Sequence, residues 1–257
     1  SLVLALLRGE SWGWGNGKTL GFFVAAAVLL FGFTAAELKQ ESPMFDFALF
    51  RKPSFTGAQI VAFTISSSMF AMFLFLTLYI QGQLHYSPIQ AGLRFLPLSL
   101  ISFVVAPIAG RLSTRIPVRI LFGVGMSLVG AALLLMHGLT PSSRWTHLLA
   151  GFIVGGVGVG LVNAPLAATA VGVVEPRRAG MASGINNTFR QVGIATGIAG
   201  LGAIFQHKIH GTDRVAFVSA MNTILLVAAI VAFLGAVAGL ALVRGRDFVR
   251  TQPQSAA

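Results

Sequence analysis

Residues 218–243 read VSAMNTILLVAAIVAFLGAVAGLALV, a run with no charged side chain and no proline. A helix that crosses a bilayer needs about 20 mostly apolar residues to span the hydrocarbon core, and this run exceeds that length. Hydrocarbon offers the backbone no hydrogen-bond partner, so a segment of this kind must satisfy its own N–H and C=O groups as an α-helix. Working outward, comparable stretches lie at 20–36, 57–80, 91–110, 119–139, 146–173 and 180–206, separated by short polar or proline-bearing connectors. Strands of a membrane barrel would alternate in hydrophobicity over about 10 residues, whereas these runs are longer and apolar on all sides. The sequence therefore predicts an all-α, polytopic membrane helix bundle of seven spans.

The composition requires the same solvent. Hydrophobic residues make up 55% of the chain and charged residues 10%, against about 25% charged in a soluble domain. A formal charge of +11 would point to nucleic acid in a soluble protein, but here the basic residues fall in short clusters between apolar runs. With no basic stripe and no interleaved aromatic platform, nucleic acid is not an expected partner. The chain has no cysteine, which removes disulfides, thiolate metal sites and thiol nucleophiles. The histidines His85, His137, His147, His207 and His210 show no metal-ligand spacing, so neither a metal nor a cofactor is expected. The opening stretch Leu2 to Leu7 is too short to span and has no basic n-region, so it is expected to be the end of a helix that begins upstream.

Orientation follows from Lys and Arg in the connectors. One alternate set, 37–56, 111–119, 174–179 and the tail after 243, carries eleven; the other, 1–19, 81–90, 139–147 and 207–217, carries five. The first set and the C-terminus are expected in the cytoplasm, which makes this a multi-pass protein of the cytoplasmic membrane. The connector 37–56 also holds Met44-Phe45-Asp46-Phe47, an amphipathic run suited to the membrane surface.

Three stretches resemble the fourteen-span drug:proton antiporters of the major facilitator superfamily. They are Trp12-Gly13-Trp14-Gly15 with the following span, Glu37 and the segment Pro43 to Phe55; Tyr79-Ile80-Gln81 with Tyr86-Ser87-Pro88, Ala91-Gly92-Leu93 and Pro97; and Gly180-Met181-Ala182-Ser183-Gly184 leading to Asn187-Thr188-Phe189-Arg190-Gln191-Val192-Gly193. The resemblance implies that residues 1–56 hold the end of one span, one full extra span and a cytoplasmic linker. It implies that 57–243 is the C-terminal six-helix domain, built as two inverted three-helix repeats (57–139 and 146–243), and that 244–257 is a cytoplasmic tail. An N-terminal half would be the missing partner. The implied function is secondary transport, not enzymatic: proton-coupled efflux of amphipathic or cationic drugs by alternating access. Export of a native metabolite such as a siderophore, fatty acid or amino acid is the alternative, and a membrane scaffold or intramembrane enzyme a more distant one. A further match, Gly110-Arg111-Leu112-Ser113-Thr114-Arg115-Ile116-Pro117-Val118-Arg119, resembles the superfamily's cytoplasmic loop motif, with Gly110, Arg111, Arg115 and Arg119 in place. Thr114 stands where that motif has aspartate and Pro117 where it has glycine, which puts a salt-bridge latch in doubt; the arginines also read as plain positive-inside topology.

Arg190 is the charge that most needs explaining, because it falls near mid-bilayer and an arginine there costs about 2.5–3.5 kcal/mol to insert. Asn186, Asn187 and Gln191 lie within a turn of it. The cluster reads either as the lining of a translocation cavity or as a structural arginine tied to helix-end carbonyls. Arg94 lies nearer the outer end of its span and is expected to snorkel to the headgroups. Gln59, Phe63, Ser66 and Phe70 mix polar and aromatic surface on the first span of the repeat, the helix that the resemblance places at a substrate cavity; Asn163 joins the list. Gly156 with Gly160, Gly180 with Gly184 and Gly193 with Gly197 are four apart and are expected to let helices pack closely, while Pro165 offers a bend. All seven acidic residues, Glu10, Glu37, Glu41, Asp46, Glu175, Asp213 and Asp247, fall in connectors or at span ends. A proton-coupling carboxylate is therefore expected in the missing half.

The orientation is directly testable. Cysteines introduced singly at Ser113 and Ser142 of this cysteine-free chain should react with an impermeant maleimide from the cytoplasmic and the outer side respectively. Reaction of both from one side contradicts the orientation.

Overall fold

The computed structural model of the chain describes residues 4–5, 12–13, 15–37, 39, 46–209, 214–244 and 247. Seven long helices run through it: α1 (Gly17–Glu37), α2 (Pro53–Gln83), α3 (Pro88–Leu112), α4 (Val118–Met136), α5 (Leu149–Gly172), α6 (Ala179–Lys208) and α7 (Arg214–Leu242). No strand occurs among the described residues. The Met44-Phe45 part of the amphipathic run, most of the opening Leu2–Leu7 stretch and most of the tail lie outside the described residues.

Local chemistry sets the helix starts. Asp46 accepts a hydrogen bond from the Ala48 N–H, at 2.8 Å, and so caps a short 3-10 turn, Phe47–Arg51. Pro53 opens α2 at the first helical position, where its missing N–H costs nothing. Ser87 and Gln90 form a capping box ahead of α3, with Pro88 at its first position. Between α2 and α3, His85 takes the left-handed conformation (φ 56°) that closes the turn. Within α2, Ser66–Phe70 and Tyr79–Gln83 are π-helical turns, and the Ser68 hydroxyl donates to the Thr64 carbonyl at 2.6 Å.

Six of the seven helices are long and apolar enough to cross a membrane. The exception is α6. Its 30 residues give it ample length, but its polar residues keep it out of that set, so its apolarity alone does not make the expected 180–206 stretch a span. Packing holds it in the bundle instead: α6 lies against α2, α5 and α7.

The helix pairings repeat. α3 packs on α5 as α6 packs on α2; α4 packs on α5 as α7 packs on α2; α4 and α7 meet each other. Connectors this short make consecutive helices antiparallel, so α5 runs against α2. The exchange of partners is what two inverted three-helix units, α2–α4 and α5–α7, require. Tyr79, Phe122, Phe152, Met69, Met72 and Met126 fill the core between them. Leu20, Val28, Leu30 and Phe31 of α1 are exposed, as are Leu234 and Val237 of α7, and these suit lipid.

Glycines set the closest seams. A Cβ on Gly156 would lie 2.7 Å from the Leu98 carbonyl, and one on Gly160 2.7 Å from Val105 Cβ, both on α3. A Cβ on Gly193 would lie 2.6 Å from the Phe63 carbonyl, and one on Gly197 would strike the Ser67 carbonyl, both on α2. Gly180 and Gly184 correct the expectation from spacing: a Cβ at either meets nothing within 4 Å. Four-residue spacing of small residues marks a smooth face, but does not say whether a neighbour covers it.

Two ties fasten the ends of the bundle. At one end Asn222 of α7 brackets the α4–α5 connector: its Oδ1 accepts from the Gly138 and Leu139 N–H groups (3.0 and 2.9 Å), and its Nδ2 donates to the Leu139 carbonyl (2.9 Å). At the other end the linker before α2 is held against the α5–α6 turn. Asp46 pairs with Arg178, Lys52 Nζ donates to the Val173 carbonyl at 2.8 Å, and Leu49, Phe55, Val173, Val174, Ala182 and Ile185 form a small second core. Ser54 reaches the end of the chain, donating to Asp247 Oδ2 at 2.7 Å and accepting from the Arg244 N–H at 2.7 Å.

The glycine seams predict a contrast within one helix. Gly197→Ala should destabilise the bundle by about 1–3 kcal/mol, because backbone rather than a flexible side chain stands in the way. Gly184→Ala should be neutral or raise stability by up to about 1 kcal/mol from helix propensity alone. Thermal unfolding in detergent reads both; equal shifts for the two variants contradict the packing.

Candidate transport face

The seam against α2 decides which way α6 turns its side chains. At roughly 100° per residue, Asn186 falls in the same sector as Gly193 and Gly197, Arg190 on its flank, and Gly180, Gly184, Asn187 and Gln191 on the far side. Exposure follows this order. Asn186 is buried, Arg190 half-buried, and Ser183, Asn187, Thr188 and Gln191 are exposed. A helix inside an apolar bundle thus turns a polar stripe outward, away from its own domain.

Asn186 and Gln59 correct one expectation. Both are buried and do not line an open face; Asn186 Nδ2 donates to Gln59 Oε1 at 3.1 Å across the α2–α6 seam. Ser66 is buried at the same seam, beside Gly193. Gln59 Nε2, Ser66 Oγ and Asn163 Oδ1 have no hydrogen-bond partner. Asn163 itself is half-buried on α5. Pro165, two residues on, is buried, and its own carbonyl accepts from the Thr169 hydroxyl at 2.7 Å.

Beside the polar stripe runs an aromatic one. The Arg190 guanidinium carbon sits 5.6 Å from the centroid of the Phe70 ring. From Phe70 the rings continue to Phe73 (5.9 Å), Phe95 of α3 (5.3 Å) and Phe152 of α5 (5.2 Å). Phe63, Phe70, Phe73 and Phe95 are half-buried, so the ladder reaches the surface on α2 and α3. Phe95 was not legible as a member, because a lone phenylalanine in an apolar span looks lipid-facing until its neighbours across the seam are known. Phe189 turns from this group to the linker, 5.8 Å from Phe50.

Arg94 reaches toward the connectors at its end of the bundle. Its Nη1 donates to the Gln90 carbonyl at 2.7 Å, and its guanidinium carbon lies 3.4 Å from the Tyr86 ring centroid and 5.4 Å from that of Trp145. It ties the start of α3 to the start of α5. In the loop motif, Arg111, Arg115 and Arg119 are exposed, and Arg111 and Arg115 border an open depression of about 450 Å³. Gly110 approaches α5, where a Cβ would lie 3.9 Å from Ala164. Thr114, at the motif's aspartate position, donates to the Arg111 carbonyl at 2.8 Å, so it supplies no charge for a latch.

Among the described residues no group of His, Cys, Asp and Glu is placed to hold a metal. The family model described as the Major Facilitator Superfamily matches residues 2–198. The methylenomycin A resistance protein of Streptomyces coelicolor is 30% identical over 85% of this chain and 46% of its own length. The multidrug resistance protein Stp of Mycobacterium tuberculosis is 34% identical over 82% of this chain and 39% of its own. The puromycin resistance protein pur8 of Streptomyces alboniger is 34% identical over 79% and 41%. The chain spans less than half the length of each of these curated relatives. A helical bundle with repeated pairings, apolar outer helices and an outward polar stripe on α6 agrees with the match over most of its length: the chain belongs to the major facilitator superfamily and is a multi-pass membrane protein.

Proposed function

We propose that this chain forms one wall of a secondary transporter that exports amphipathic drugs by alternating access, with residues 57–243 as the C-terminal domain, 1–56 as an extra span with its linker and 244–257 as a tail. The observation that carries the reading is the outward polar stripe Ser183, Asn187, Thr188 and Gln191 with Arg190 on its flank. Exposed to lipid it would be costly; facing a second six-helix half across a watery cavity it is solvated and free to meet a substrate. Relatives named for resistance to methylenomycin A, to puromycin and to several drugs support drug efflux.

Proton coupling then belongs to a carboxylate of the other half, since the acidic residues here fall in connectors or at span ends. The arginine-rich α3–α4 and α5–α6 connectors support a cytoplasmic end that also holds the linker and Arg244. The opposite end, with the Asn222 bracket, is then outside.

Two outcomes test the reading. This chain alone, reconstituted in liposomes, should move no drug dye under a proton gradient, because it builds only one wall; uptake by the chain alone overturns the two-wall picture. In the full transporter, Arg190→Ala should cut efflux at least about tenfold at normal abundance, and Arg190→Lys should restore only part of it, having charge without the planar fork. A loss that merely tracks protein amount would assign Arg190 a structural role.

A further inference from the structure

Away from the helix ends, two charged side chains lie within the long helices of the bundle, Arg94 and Arg190, and no carboxylate does. Arg94 is held within its own domain: its guanidinium carbon lies 3.4 Å from the Tyr86 ring centroid and 5.4 Å from that of Trp145, and its Nη1 donates to the Gln90 carbonyl, while its Nε is buried without a partner. Arg190 is not. Among the described residues its specific contact is the Phe70 ring at 5.6 Å, which steadies a guanidinium without neutralising it. The residues nearest it on the open side, Asn187 and Gln191, are neutral and exposed. Half-buried on the open side, the guanidinium keeps donors for an acceptor that comes from outside this wall, since no described side chain accepts from it.

We propose that Arg190, flanked by Asn187 and Gln191, is an acceptor subsite that selects substrates carrying a carboxylate or comparable anionic oxygen on an aromatic body, the body resting on the Phe70, Phe73 and Phe95 rings. This deepens the transport reading and rests on it. Guanidinium and carboxylate match as a two-pronged, charge-assisted pair. A cationic group in the same place meets a like charge with no carboxylate nearby to offset it, so cations must be read by the other half. The wall is thus specific in charge, while its ring ladder is tolerant in shape.

Dansylglycine and dansylcadaverine share a fluorescent aromatic body and carry opposite charges, so their binding to the full transporter in lipid nanodiscs separates the two effects. Arg190→Ala should weaken dansylglycine at least about tenfold and shift dansylcadaverine less than about twofold. Arg190→Lys should give an intermediate loss for dansylglycine alone. An unchanged dansylglycine affinity, or an equal loss for both probes, overturns the proposal. Should the variants fold poorly, the wild type still decides: benzoate should displace dansylglycine and benzylammonium should not, and equal displacement by both overturns the subsite. Uptake into energised vesicles is scored separately. A wild type that binds dansylglycine through Arg190 but moves neither probe sinks the transport reading while supporting the subsite.

Discussion

The close approach of α6 to α2 is the contact on which the rest of the arrangement depends. Lipid tails are as apolar as leucine, so helices in a bilayer gain little from hiding apolar surface from one another and associate through packing and hydrogen bonds. α6 is also the least apolar of the long helices and lies outside the set that composition alone would insert. What fixes it is the seam in which Gly193 and Gly197 rest on the backbone of α2 at Phe63 and Ser67, joined by the buried Asn186–Gln59 hydrogen bond at 3.1 Å. Side-chain direction on a helix is periodic, so fixing one sector fixes all others. The same seam that buries Asn186 turns Asn187 and Gln191 outward and leaves Arg190 beside Phe70.

The repeated pairings make that seam one of two equivalent positions. α3 meets α5 where α6 meets α2, and glycines set both distances: Gly156 and Gly160 against α3, Gly193 and Gly197 against α2. Chemistry breaks the equivalence. The open side of α3 carries Leu93, Leu96, Leu100 and Phe103, and that of α6 carries Ser183, Asn187, Thr188 and Gln191. Architecture supplies two similar helix positions around the wall, and sequence places the polar groups on one. The linker adds a constraint of its own. Asp46, Lys52 and Ser54 hold it to the α5–α6 turn and to Arg244 and Asp247, so the chain leaving toward α1 departs from a point fixed on this bundle.

The spans were legible because a run such as 218–243 has only one low-energy form in hydrocarbon. The predicted 57–80 becomes Pro53–Gln83 because proline is comfortable in the first turn and a π turn extends the far end. What the sequence could not carry is pairing between distant residues. Ser54 with Asp247, Asn222 with the α4–α5 connector and Arg94 with Trp145 join positions that no local pattern relates. The site was half legible for the same reason. A mid-span arginine among amides announces a polar sector, but only the seam shows that Asn186 belongs inside it and Asn187 outside. Gly180 and Gly184 have the spacing of a packed pair and lie in the open; spacing describes a face, and the neighbour decides its use.

An arginine left without a carboxylate partner also constrains how the wall works. Had a carboxylate of the same domain paired with Arg190, the two charges would be mutually satisfied and a passing substrate would have to break the pair to bind. With the Phe70 ring as its companion the guanidinium keeps its charge and its donors while losing freedom of orientation. On the transport reading proposed above, it would be solvated by water when the cavity is empty and by an acceptor when it is filled, and both exchanges would leave the protein's own hydrogen bonds intact. Arg94 shows a different solution within the same fold: set against two rings and bonded to its own helix, it joins α3 to α5, with its Nε buried and without a partner. The two arginines differ in their neighbours and not in their chemistry, so it is packing that makes one a strut and leaves the other available.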